Sequence, residues 1–217
     1  MRSELVTFST SDGIVIVGDW YPSHGSRFAL LLHMMPATKE SWRTLAEQLV
    51  MAGYSCLAID LRGHGESNMS GALNYRSFSD ADHLASLLDV EAAFDWMSTK
   101  GADASNTVAI GASIGANLAI NFVVSSGLPC AVALSPGLDY HGVTTEPSMH
   151  AMRPGQRMIL IASDDDPESL ASIQTLHAAK PTQTLLLETH GLGHGTWMFE
   201  KDPALIRTVI SAISPLS

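Results

Sequence analysis

From residue 28 onward, short continuous apolar runs alternate with helix-patterned stretches, and this alternation limits the fold more than any other feature. The runs are Phe28–Leu32, Cys56–Ile59, Val108–Ile110, Ala131–Leu134, Met158–Ala162 and Thr184–Leu187. Each is near-continuously apolar rather than apolar at every second position, the pattern of a strand covered on both faces. Between them lie helical patterns. Ser41–Ala52 carries Trp42, Leu45, Leu49 and Ala52 on one face and stops at Gly53. Ser79–Met97 is striped by Leu87, Val90, Phe94 and Met97, with Ser79 as a cap and Asp82 three residues on. Gly115–Ser126 ends at Gly127, Pro167–Ala179 opens on proline, and Asp202-Pro203 opens a last helix striped by Leu205, Ile206, Val209, Ile210 and Ile213. Doubly buried strands each followed by a helix imply a parallel sheet with right-handed crossovers. Ahead of this series, Leu5–Thr10 and Ile14–Tyr21 flank Asp12-Gly13, a hairpin signal that supplies an antiparallel edge. The expected fold is α/β. It has a mostly parallel sheet of roughly eight strands with helices on both faces, formed as a single domain over residues 1–217.

Composition narrows the function. The formal net charge of −10 repels phosphate backbones and anionic headgroups, which argues against nucleic-acid and membrane partners. No run reaches the ~18 apolar residues of a membrane span, and the N-terminus lacks a basic region followed by an apolar one. The expectation is a cytoplasmic monomer or homodimer acting on a small molecule. Cys56 and Cys130 each fall in or beside a buried run and read as reduced core thiols.

The chemistry centres on Gly111-Ala112-Ser113-Ile114-Gly115. It follows an apolar run and opens a helix, so Ser113 sits on a sharp corner with its hydroxyl exposed, and the glycines remove side chains that would block the turn. The competing reading is a glycine-rich turn with an ordinary serine. A serine nucleophile needs a base, and His194 lies in His190-Gly191-Leu192-Gly193-His194-Gly195, a loop between the last strand and the last helix. His190 competes for that role. The orienting carboxylate comes from Ser163-Asp164-Asp165-Asp166-Pro167. Asp166 is preferred and Asp165 is the alternative, although Asp166 before Pro167 would also serve as a helix N-cap. The oxyanion donors are the backbone N–H of Ile114 and, from His33-Met34-Met35-Pro36, that of Met35. His33, Met34, Tyr140, Met149 and Trp197 are candidate pocket residues. No metal and no organic cofactor is called for.

Together these residues resemble the α/β-hydrolase superfamily, and within it the small lid-less dienelactone-hydrolase-like and carboxylesterase branch. The markers run in order: Leu32-His33 with Trp42 downstream, Asp60-Leu61-Arg62-Gly63-His64-Gly65-Glu66-Ser67, the Gly111–Gly115 elbow, the Asp164–Asp166 loop and Gly193-His194-Gly195. The resemblance implies that Arg62 ties loops together, that His64 is structural and that no cofactor takes part. It departs from the family where His33-Met34 replaces the frequent His-Gly, and where serine stands in place of the cysteine common in dienelactone hydrolysis. Pro136–Gln156 is too short for a helical cap, so an open cleft is expected. The activity implied is hydrolysis of small short-acyl carboxylic esters through an acyl-enzyme. The same triad also suits thioesterase, lactonase, acyltransferase or perhydrolase chemistry. A non-catalytic binding module on the same scaffold is the reading from another class.

Overall fold

The computed structural model describes residues 3–214. Among them, ten strands and eight α-helices follow in chain order. They are β1 (Glu4–Ser9), β2 (Val15–Tyr21), β3 (Arg27–Leu32), α1 (Arg43–Met51), β4 (Tyr54–Ile59), α2 (Asp80–Leu84), α3 (Leu87–Ser98), β5 (Thr107–Ala112) and α4 (Ile114–Ser126). Then come β6 (Cys130–Leu134), β7 (Asp139–Tyr140), β8 (Val143–Thr144), α5 (Glu146–Ala151), β9 (Arg157–Ser163), α6 (Pro167–Ala179), β10 (Thr184–Thr189), α7 (Trp197–Lys201) and α8 (Ala204–Ile213). Eight strands form one sheet in the order β1-β2-β4-β3-β5-β6-β9-β10, and β7 and β8 pair separately. The contacts β1–β2 and β2–β4 are antiparallel, and every later contact in the large sheet is parallel. The expected α/β architecture, with its leading hairpin and parallel body, is the architecture observed.

The doubly apolar runs divide their side chains between two cores, as the two-residue strand period requires. Leu30 and Leu32 face one layer with Val90, Met97, Leu118, Ile173 and Leu176. Ala29 and Leu31 face the other with Trp42, Leu45, Leu49, Ile206 and Val209. Helices α3, α4 and α6 therefore cover one face, and α1 and α8 the other. α4 is buried around most of its circumference, which fits its nearly all-apolar sequence. Cys56 and Cys130 are buried free thiols, and burial raises the pKa of both. No described helix is long and apolar enough to cross a membrane.

Two elements differ from the sequence expectation. The helix read over Ser79–Met97 is two helices, broken at Ala85 and Ser86, where ψ is −12° at both. The break lets α2 lie against the β7–β8 hairpin, while buried Asp89 in α3 accepts from Arg62 N and Nε at 2.8 Å each. Ser79 caps α2 as expected, through a reciprocal box with Asp82. The second difference lies in Pro136–Gln156, which carries the β7–β8 hairpin and the short α5 rather than a featureless loop. It forms no helical cap over the strand ends.

Candidate active site

Ser113 occupies the corner between β5 and α4 with φ 54° and ψ −124°, a left-handed backbone held in place from both sides. Its N–H donates to the Leu134 carbonyl (2.9 Å), and its carbonyl accepts from Ala116 N (2.8 Å). The flanking glycines are sterically obligatory. A Cβ on Gly111 would stand 2.0 Å from the Gly115 carbonyl oxygen, and one on Gly115 would stand 2.3 Å from the Leu32 oxygen. The first turn of α4 could not otherwise sit so close to the ends of β3 and β5.

The loop after β10 is clamped to the loop after β9 by three consecutive aspartates. Asp164 accepts from Gly191 N (2.8 Å) and lies 2.9 Å from His190 Nδ1. Asp165 accepts from Gly193 N (2.8 Å), with Lys201 Nζ at 3.7 Å. Asp166 Oδ2 lies 2.7 Å from His194 Nδ1. Of the two carboxylates weighed as the orienting acid, Asp166 meets the His194 ring and Asp165 meets backbone. His190 is 86 % exposed at the surface end of the same clamp, turned to Asp164. Gly195 carries the His194 loop onto the elbow. Its N–H donates to Ser135 Oγ (3.0 Å), and a Cβ there would meet Met34 Sδ at 2.5 Å and the Ala112 methyl at 3.4 Å. Position 195 therefore sits against the residue that precedes Ser113.

Beside His194 stands Tyr140. Its ring meets the His194 ring edge-on at 6.5 Å between centroids. Its hydroxyl lies 3.1 Å from Ser169 Oγ and 3.4 Å from the Ser135 carbonyl. Burial raises the phenol's pKa above its ordinary value, and the Ser169 and Ser113 hydroxyls pull it partly back. Sequence reasoning placed Tyr140 in the pocket and missed its partners Ser135 and Ser169 and the buried Asn117 that braces the segment. A signal was available. His141-Gly142 between two short β-prone pairs is a two-residue turn, and both residues have positive φ (52° and 79°).

The other candidates spread out. Ile114 begins α4, where its N–H has no acceptor within the helix. Met35 lines a cleft of about 310 Å³ together with Pro36, Tyr75, Arg76, Phe78, His83 and His141. His33 is fully buried; Leu61 N donates to its Nε2 (3.0 Å), its Nδ1 lies 2.9 Å from the Met34 carbonyl, and burial lowers its pKa to about 4. That ring ties two loops and does not face the cleft. Met34 and Met149 are core side chains, and Trp197 is 49 % exposed at the start of α7. His64 is structural as read, stacked on Tyr75 at 3.9 Å, and Arg62 does tie loops through Asp12 and Asp89. Among the described residues, no three or more His, Cys, Asp or Glu side chains gather as a metal site would require. A cavity of about 450 Å³ lined by Arg27, Val108, Cys130 and Arg157 sits at the opposite, amino-terminal ends of the strands, away from Ser113.

Comparison with known proteins points the same way. The Hydrolase_4 family model, described as serine aminopeptidase, S33, matches residues 27–197. Among solved structures, an esterase of Pyrococcus furiosus superposes with a TM-score of 0.80 at 18 % identity, covering 97 % of this chain and 89 % of its own. A dienelactone hydrolase of Anabaena variabilis gives 0.76 at 19 % identity, covering 97 % and 94 %. A lid-less α/β serine hydrolase of Xanthomonas campestris gives 0.73 at 13 % identity, covering 100 % and 97 %. No curated protein sequence matches.

Proposed function

The chain belongs to the serine aminopeptidase S33 family of α/β serine hydrolases, and on that premise we propose that it hydrolyses carboxylic esters of small, short-acyl substrates through Ser113, His194 and Asp166. One observation carries the reading. A left-handed serine on the strand–helix corner adjoins a loop whose histidine is paired, at 2.7 Å, with a strand-end aspartate. Ser113 attacks the carbonyl, His194 takes the hydroxyl proton through Nε2, and Asp166 holds the ring by Nδ1 and stabilises the imidazolium. The N–H groups of Ile114 and Met35 receive the oxyanion. His194 then protonates the leaving alcohol, and water releases the acid by the same steps in reverse. The short segment over the strand ends leaves the cleft open, which suits small substrates. An esterase and a dienelactone hydrolase among the structural neighbours favour an oxygen ester over the amide in the family's name.

Ser113→Ala is the direct test. The variant should lose p-nitrophenyl acetate turnover and fluorophosphonate labelling while keeping the wild-type melting temperature. Retained turnover would remove Ser113 from the mechanism. A panel of ester, thioester, lactone and aminoacyl-anilide substrates then fixes the acyl chemistry, and a wild type that favours the anilide refutes the ester reading.

A further inference from the structure

We propose that the cavity at the amino-terminal ends of the parallel strands is a second ligand site, taking a small organic anion charged at both ends with an apolar middle, as in an aliphatic dicarboxylate. The site lies at the edge of the sheet opposite Ser113 and is independent of the reading of that serine as nucleophile.

Strand period and register build it. Side chains two apart on a strand share a face of the sheet. Ala29 of β3, Ile110 of β5, Val132 of β6 and Ile159 of β9 all face the layer of α1 and α8. The last row on that face is therefore Arg27, Val108, Cys130 and Arg157. Val108 pairs with Cys130 and Cys130 with Arg157, while Arg27 pairs with Tyr54 of β4. α8 covers the rows above and ends at Ile213, which forms a wall of the cavity. The last row is left as the floor of a space of about 450 Å³, within the range that small-molecule sites occupy. Val108 and Cys130 are buried even so, which makes the floor recessed and apolar. Pro129 joins them, its carbonyl accepting from Arg157 N (2.9 Å).

Charge at this floor has one sign. The chain holds 22 Asp and Glu against 12 Lys and Arg, yet no residue lining the cavity is acidic. Among the described residues, ion pairs are made by Lys39, Arg62, Lys201, His190 and His194, and neither Arg27 nor Arg157 takes part in one. Asp103, two positions from the rim residue Ser105, is taken up by the backbone amides of Ser105 (2.7 Å) and Asn106 (3.2 Å). Burial pushes the Cys130 thiol up to about 11, so the floor adds no negative charge. An anion entering there meets two guanidiniums with no carboxylate competing for them.

Arg27 is preset for such a ligand. Its Nη2 donates to the Ala52 carbonyl (2.6 Å) and its Nη1 to the Tyr54 hydroxyl (3.2 Å), with the guanidinium carbon 4.2 Å from the centre of the Tyr54 ring. Those two bonds close the end of α1, and the remaining N–H groups of the fork are left for an acceptor. A side chain already held in place loses less freedom on binding. From β3 through β5 and β6 to β9 are three strand spacings, roughly 14 Å. A short aliphatic chain lying over Val108, Pro129 and Cys130 bridges that span with a carboxylate at either end.

Isothermal titration of the intact chain with adipate, hexanoate and 1-hexanol tests the site. Adipate should bind once per chain, hexanoate about tenfold more weakly or worse, and hexanol not at all, tenfold being the scale of one lost charge-assisted hydrogen bond. Arg157→Gln should weaken adipate about 10- to 100-fold and leave p-nitrophenyl acetate turnover unchanged. Ser26→Glu, at the exposed rim beside Arg27, supplies an internal carboxylate and should weaken adipate about tenfold. Should Arg157→Gln not fold, Ser26→Glu decides alone. Failure of adipate to bind overturns the proposal, as does wild-type affinity in either folded variant or hexanoate binding as tightly as adipate. Adipate that inhibits turnover and binds Arg157→Gln undiminished sits at the Ser113 cleft, which removes the second site and leaves the esterase reading standing. A wild type without esterase turnover that still binds adipate through Arg157 defeats the esterase reading alone.

Discussion

Asp164, Asp165 and Asp166 are identical side chains in succession, yet their partners differ in kind: a surface histidine with a backbone amide, a backbone amide, and the His194 ring. Their substitution effects should differ accordingly. Asp166→Asn should lower kcat by about a thousandfold or more, because the ring loses the partner that fixes its tautomer. Asp165→Asn, whose amide oxygen still accepts from Gly193 N, and Asp164→Asn should cost less than about tenfold, since neither touches that ring. Steady-state kinetics of the three variants checks this, and a loss of Asp166 size in Asp165→Asn would transfer the role by one position. Ser113 and His194 were legible as residues because glycine surrounds both, and glycine marks backbone that must turn or approach closely. Asp166 could be preferred from the sequence but not separated from Asp165, because adjacent equal side chains carry little record of which one a loop 28 positions later will reach.

At the scale of elements, the parallel strands were readable because each is apolar on both faces and bounded by helical periodicity. The break at Ala85-Ser86 was not, because no proline or glycine marks it. It is imposed from outside, by Arg62 reaching Asp89 and by the hairpin under α2. The β7–β8 hairpin escaped for the opposite reason, being too short for a period to register. Two amides of α4 hold it, Asn117 on Val143 and Gly137 and Asn121, whose Nδ2 donates to the Thr144 carbonyl (3.0 Å). Asn117→Leu should leave the Val143 carbonyl and the Gly137 N–H buried without partners, at a cost of about 2–4 kcal/mol. Urea unfolding should show the midpoint falling by that measure, and an unchanged midpoint would mean that the hairpin is held by other contacts.

Across the whole molecule, pH enters through buried imidazoles. Burial holds His33 near 4 and His64 near 3, while an unfolded chain titrates near 6.5. Between those values the unfolded state binds more protons, so stability is complete above about pH 6.5 and is lost as pH falls toward 4, at about 1.4 kcal/mol per pKa unit. Asp89 works in the opposite sense, because burial lifts its pKa to about 6 despite Arg62, and it offsets part of the loss. Urea midpoints should decline from pH 7 to pH 4, and His64→Asn should flatten the slope; a level profile in the wild type would contradict the buried, neutral assignment. The aspartate clamp has a consequence for how such a protein can diversify. Three rungs join the two loops residue for residue, so inserting or deleting one position in either loop would shift every rung at once. The pair can change only as a matched set, and variety in substrate choice is more easily written into the stretch between β6 and β9, which is tied to α4 by side-chain amides rather than by a ladder of adjacent rungs.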